Sequence, residues 1–200
     1  MEMDAYLISQ LYKQWTSTDP NDSEKTAMTA DTTALTTENI LGVFDDLMLN
    51  MDEARVPANG RILYVTSVIK KMLKNAEKIG RSISVTDNNH TIDRIVSRLD
   101  EVEIISVPST LMKTKYDFTK GWEIASDAEQ INMMLVHPDA VITPVSYEMV
   151  SLDPPSAVTE GKYIYFEESF EDVFILNKKQ DAIQFNVGAV GGDSDGGTSG

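Results

Sequence analysis

Residues 61–80 read RILYVTSVIKKMLKNAEKIG. Ile62, Leu63, Tyr64 and Val65 form a short apolar run of the kind that makes a buried strand. Thr66 or Ser67 can cap a following helix, because a hydroxyl there accepts a hydrogen bond from an unpaired first-turn amide. Ile69, Met72, Leu73 and Ala76 recur at helical spacing and predict one apolar stripe. Lys70, Lys74 and Lys78 line the other side, and Gly80 stands where helices commonly exit through a left-handed residue. A strand and helix joined this tightly share a core. Later strands are expected to add to that unit and form an α/β layer.

The 200 residues carry 17 Lys and Arg against 32 Asp and Glu, a formal charge of −15. A DNA-binding protein neutralises about 6–10 phosphates with basic side chains, so nucleic acid is not the expected direct partner. An anionic membrane surface is disfavoured for the same reason. The absence of cysteine removes disulfides, thiolate metal sites and Cys nucleophiles from consideration. Residues 1–15 lack the charged-then-apolar pattern of a signal peptide, and no apolar run approaches 18 residues.

Residues 1–15, MEMDAYLISQLYKQW, predict a helix with Ile8, Leu11, Tyr12 and Trp15 on one face and Asp4 as its cap. Its abrupt start suggests the end of a longer helix. Residues 16–36, rich in Thr, Ser and Asp, read as a mobile loop or as an excursion between two structural units. A second helix is expected from Thr36 or Thr37, with Ile40, Phe44, Leu47 and Met51 as its core stripe and Leu41 and Met48 alongside. Pro57, Asn59 and Gly60 end that segment. A polar loop is expected around Asp87, Asn88, Asn89 and His90. Then comes a hairpin: Ile92 to Leu99, a turn at Asp100-Glu101, and Val102 to Val107, the first arm also fitting a helix. Residues 109–118 read as irregular. Further strands are expected at 131–136, 145–152, 163–166, 173–176 and 182–187. Six of the eleven glycines fall in residues 188–200, which read as a flexible tail.

Signals of chemistry are few. His137, before Pro138-Asp139, reads as a turn residue at a strand end; the rival is a small α/β hydrolase in which His137 meets a serine and a carboxylate. No G-x-S-x-G elbow or phosphate-cradling glycine loop occurs. His90 reads as solvated. The acidic groups Asp45-Asp46, Asp52-Glu53, Glu167-Glu168 and Glu171-Asp172 read as solvated faces rather than cation sites, which need six or more shaped oxygen ligands. Asp193 to Gly197 mimics the start of a calcium loop without its closing Glu. The lysine stripe is the only basic concentration. It is either the wet side of an amphipathic helix or a docking face for an acidic neighbour, the obvious one being another copy. The aromatic series Tyr163, Tyr165, Phe166, Phe170 and Phe174 is expected in the core. Exposed, it would favour association.

Four stretches give a resemblance: MDAYLISQLYKQ (3–14), TTENILGVFDDLMLNMDEARVPANGRILYVTSVIKKMLKNA (36–76), RIVSRLDEVEIISVPSTLM (94–112) and KYIYFEESFEDVFILNKKQDAIQFNV (162–187). Their order resembles the major capsid proteins of tailed phages and prophages with the Hong Kong 97-like fold. The resemblance implies an α+β fold in which a central mixed sheet is flanked by helices in an axial domain, with a partial peripheral domain. Residues 1–36 would be the end of the spine helix and a peripheral loop, and 37–144 the axial domain. Residues 145–187 would complete both domains, and 188–200 would be the tail. The family's N-terminal arm and E-loop do not fit ahead of Met1. The implied protein is a non-enzymatic shell subunit with no catalytic, cofactor or metal residues. It would reside in the virion after synthesis in the host cytoplasm, and its partners are copies of itself in pentamers and hexamers, with scaffold and portal proteins. Lys70, Lys74 and Lys78 are the candidate subunit-contact face. The alternative is a head–tail or other virion interaction module.

Overall fold

The computed structural model describes residues 2–18, 26–76, 83–86, 89–92, 98–119, 121–176 and 178–189, of which 83–86, 89–92, 147 and 148 by backbone alone. Helix α1 spans Glu2–Thr16 and α2 Ile40–Glu53; strand β1, Ile62–Thr66, runs directly into α3, Ser67–Asn75. Then come β2 (Ile83–Thr86), β3 (Asn89–Ile92), β4 (Arg98–Leu99), β5 (Val102–Val107), β6 (Tyr116–Asp117), β7 (Glu123–Ile124) and β8 (Ile131–Val136). The chain continues with β9 (Val141–Ile142), β10 (Val145–Asp153), β11 (Ile164–Glu171), β12 (Phe174–Ile175) and β13 (Ile183–Val187).

Strand β1 lies at the middle of a five-stranded sheet ordered β13-β8-β1-β5-β4. It pairs in parallel with β5 and antiparallel with β8, so the sheet is mixed. Alternation along the strands divides the core into two layers. Leu63, Val65, Ile104, Met133 and Leu135 face α2 and α3, packing on Phe44, Leu47, Ile69 and Leu73. Met134, Val136, Ile183 and Phe185 face α1, packing on Leu11 and Trp15. The expected mixed sheet flanked by helices is present, with one helix on its second face.

The strand–helix junction follows its sequence: Thr66 Oγ1 accepts from the Ile69 amide at 3.3 Å, and Ile69, Met72, Leu73 and Ala76 are all buried. The exit does not. Helix α3 stops at Asn75 and the chain leaves through Ala76, which is buried and in extended conformation (φ −58°, ψ 129°). Gly80 and Lys78 lie outside the described residues. Asp4 is inside α1 rather than at its cap, where with Glu2 it complements the positive helix end.

Helix α2 begins at Ile40, after a turn, with Asn39 as its cap residue. The Asn39 side-chain oxygen accepts from the Thr36 amide at 2.8 Å, and the Thr36 hydroxyl accepts from the Asn39 amide at 3.3 Å. This reciprocal pair sets the start three residues later than the threonines suggested. The expected stripe Ile40, Phe44, Leu47 and Met51 is buried.

Residues 26–36 are packed, not a loose loop. The Asp31 amide donates to the Phe185 carbonyl and the Val187 amide to the Asp31 carbonyl, both at 2.9 Å, so this one residue extends the sheet past β13. Asn186 donates to Asp31 Oδ2 (2.6 Å) and to the Thr33 carbonyl (3.0 Å), and Leu35 is fully buried. Burial raises the Asp31 pKa, but hydrogen bonds from the Thr33 hydroxyl, the Asn186 amide and the Thr33 and Thr32 backbone outweigh it. The net value lies below the ordinary carboxylate range. A depressed folded-state pKa gives stability that is present above the unfolded value of about 3.9 and lost as pH falls through the folded one. Urea melts from pH 6 to 2 are therefore expected to show Asp31→Asn losing less stability on acidification than the wild type. Parallel losses would show that Asp31 carries none of the dependence.

The expected polar loop at 87–90 contains part of a hairpin instead: β2 and β3 pair antiparallel, with Val85 opposite His90. β2 alternates as Ile83, Ser84, Val85 and Thr86, but β3 opens on three polar residues, Asn89, His90 and Thr91, which read as loop. Ile92 belongs to this hairpin rather than to the arm facing β5. Of that arm, Arg98 and Leu99 pair with Glu103 and Val102 across Asp100 (φ 52°), and 93–97 lie outside the described residues. Residues 190–200 of the expected tail also lie outside.

Candidate assembly surfaces

His137 is a structural residue. It is buried at the end of β8; its Nε2 lies 3.2 Å from the Asn59 carbonyl and its Nδ1 accepts from the Asp139 amide at 3.3 Å. A neutral ring with its proton on Nε2 satisfies both contacts. The neighbouring cavity is lined by Ala54 to Pro57, Asp139, Lys178, Lys179 and Asp181, with no serine among them. The geometry is that of the expected turn residue, not of a hydrolase triad. His90 is in β3, its side chain outside the description.

The acidic pair Glu167-Glu168 is split by β alternation, since consecutive residues of β11 project to opposite faces. The two carboxylates therefore cannot converge on one cation from this strand.

On α3, Lys70 and Lys74 are half-buried and Lys71 is exposed, away from the core stripe. Their aliphatic stems cover the helix while the ammonium groups stay within reach of solvent or a neighbour.

The aromatic series departs most from expectation. Strands β10 and β11 pair antiparallel from Val145–Glu171 to Asp153–Ile164, with one register shift near Val145, as a separate two-stranded sheet. Tyr163 (70%), Leu152 (62%), Tyr165 (61%) and Phe170 (56%) are exposed, as are Val150, Ile164, Phe166 and Phe174. Register assigns the faces. Met149, Ser151 and Asp153 share one with Glu168, Phe166 and Ile164; Val150 and Leu152 share the other with Glu167 and Tyr165. The Tyr165 hydroxyl donates to Glu167 Oε2 at 2.8 Å on that second face. Alternation and β propensity placed these residues in strands, but neither says whether another layer covers them.

A second apolar surface is a groove of about 500 Å³ between α1 and the central sheet, lined by Leu7, Ile8, Leu11, Tyr64, Met134 and Val136 among others. Hairpin and groove together leave far more apolar surface uncovered than an isolated small domain needs. What such surfaces can do is bind other protein surfaces.

No protein-family model matches this chain, and no curated protein does. Solved structures do. A chain of Mycobacterium phage Che8 superposes with a TM-score of 0.53 at 11% identity, covering 92% of this chain and 57% of the other. A chain from the asymmetric unit of the bacteriophage PhiM1 mature capsid gives 0.62 at 13%, covering 92% and 59%. One from the capsid of the cyanophage P-SCSP1u gives 0.55 at 15%, covering 94% and 60%. At such identities the likeness is one of fold, and this chain spans about three fifths of the length of these structures.

Proposed function

From a phage capsid-like fold, we propose that this chain is a structural subunit of a tailed-phage or prophage head, a major capsid protein of the Hong Kong 97-like type. It acts by packing against copies of itself in an icosahedral shell. The observation that carries this reading is the superposition of more than nine tenths of the chain on phage capsid structures. The exposed apolar hairpin supports it independently, because such a surface asks for a protein neighbour. In this reading the central sheet with α2 and α3 belongs to the axial domain around five- and six-fold positions, and α1 with the hairpin belongs to the peripheral domain. Repetition of modest contacts by symmetry then holds a shell that no single contact could. Scaffold and portal proteins would be its other partners. Net negative charge would keep packaged DNA from adhering to the shell.

Electron microscopy of the purified chain at high concentration tests the reading. Shells or capsomers are expected. Small fixed rings would favour a head–tail module, and strict monomers would overturn self-assembly. The lysine face has its own test: Lys70→Glu with Lys74→Glu is expected to lower the assembled fraction severalfold in light scattering while leaving thermal unfolding within a degree or two. Full assembly of that variant would return the stripe to an ordinary solvated face.

A further inference from the structure

Asn59-Gly60 is the one Asn–Gly step in the sequence. It lies in the turn that carries the chain from α2 into β1, and both residues are exposed. Gly60 has a φ of 89°, which favours glycine, and without a Cβ nothing of its own shields its nitrogen. Among the described residues no hydrogen bond ties the Gly60 amide or the Asn59 side chain. The nitrogen that can attack the Asn59 side-chain amide is therefore open.

The carbonyl of that same peptide is held. The His137 ring donates through Nε2 to the Asn59 oxygen at 3.2 Å, and a Cβ built on Gly60 would stand 3.9 Å from Nε2, so the ring lies against the peptide itself. His137 is buried, and its Nδ1 accepts from the Asp139 amide at 3.3 Å, which fixes the aim of the donor. When the Gly60 N–H gives up its proton, negative charge spreads onto the Asn59 oxygen. A donor already pointed there stabilises that charge more than it stabilises the neutral peptide.

We propose that Asn59 is a self-modification site, converting to aspartate and isoaspartate with His137 stabilising the anion that forms on the way. Water or hydroxide takes the Gly60 proton, and the nitrogen pair bonds to Asn59 Cγ. The Cγ–Nδ2 bond then breaks, Nδ2 takes up a proton and leaves as ammonia, and a succinimide remains. One water opens that ring. Opening at Cγ gives aspartate. Opening at the old main-chain carbonyl gives isoaspartate, in which that carbonyl has become a free carboxylate facing His137. The step needs no oxidant, cofactor or second protein, and it is independent of the assembly reading. Its place matters because the turn also carries the Val56 and Pro57 carbonyls that Arg61 holds.

Tryptic mapping of the intact chain during storage in neutral buffer tests it, against the free peptide VPANGR (56–61). Asn59 is expected to convert faster in the folded chain than in the peptide, and ahead of every other asparagine. His137→Phe, shown by thermal unfolding to be folded, is expected to slow the conversion about tenfold, the worth of one hydrogen bond to a charged oxygen. Loosening of the turn would raise the rate, so a fall separates the donor from a merely structural effect. If that variant does not fold, the comparison of chain with peptide decides alone. A folded chain slower than the peptide, another asparagine converting first, or a folded His137→Phe at the wild-type rate would each overturn the proposal.

Discussion

Arg61→Ala is expected to cost about 3–4 kcal/mol of folding stability, from the hydrogen bonds that a fully buried side chain gives up and the cavity it leaves. Arg61 is fully buried at the entrance to β1. Its Nε donates to the Pro57 carbonyl at 2.9 Å, and its Nη2 to the Val56 carbonyl at 2.7 Å and to Asp52 Oδ1 at 2.6 Å. The guanidinium thereby ties the turn after α2 to the central strand, and Met48 covers it at 3.5 Å from Nη1. The carbonyls decide the magnitude, not the ion pair. Asp52 is 57% exposed, so solvent screens the attraction and Asp52→Asn is expected to cost less than about 1 kcal/mol. Arg61→Lys falls between, because one ammonium cannot serve two carbonyls and a carboxylate at the guanidinium's fixed spacing. Urea denaturation of the three variants checks the order. Equal losses in Arg61→Ala and Asp52→Asn would show that the ion pair, not the carbonyl staple, holds the turn.

Trp15→Ala is expected to be at least as damaging, at about 3–5 kcal/mol. Trp15 is 1% exposed and donates its indole N–H to the Gln180 carbonyl at 2.9 Å. Its ring meets Phe185 edge-on at a centroid distance of 5.0 Å, and Tyr12 meets the same ring at 5.2 Å. The Gln14 side chain adds a second anchor, donating to the Val173 carbonyl at 2.6 Å and accepting from the Ile175 amide at 3.3 Å. Removing the indole takes the largest side chain out of the layer between α1 and the sheet while leaving the α2–α3 layer untouched. Hydrogen exchange is therefore expected to show α1 amides opening at much lower free energy, with β1 and α3 keeping most of their protection. Uniform loss across both layers would mean that the two cores unfold as one unit.

Sequence and structure agree where burial and periodicity coincide. The apolar stripes of α2 and α3 were legible because one-faced burial leaves a period in the chain, Ile131 to Val136 because a strand buried on both faces is a continuous apolar run, and the Thr66 cap because it is a local hydrogen bond. Readings failed where polar side chains took over that task. Asp31 and Asn186 hold residues 26–36 against β13 through hydrogen bonds, and such pairs between distant residues carry no local pattern. The threonine-rich composition pointed to a loop while Leu35 was already committed to the core. Asn39 displaced the start of α2 by a reciprocal exchange with Thr36 that either threonine alone could have imitated.

For the candidate surfaces, the lysine stripe was visible as the polar half of an amphipathic helix, and His137 as a turn residue before proline. The exposed hairpin was visible only as strands. The sequence by itself determined the order of elements, the central place of residues 62–66 and an acidic chemistry poorly matched to nucleic acid. The tertiary structure alone decided that α1 closes the second face of the sheet and that β10 and β11 stand apart with aromatic side chains in solvent. The reason is physical. Alternating apolar residues fix a strand and its faces, but whether a face is covered depends on which other layer reaches it, and that is a property of the whole packed chain.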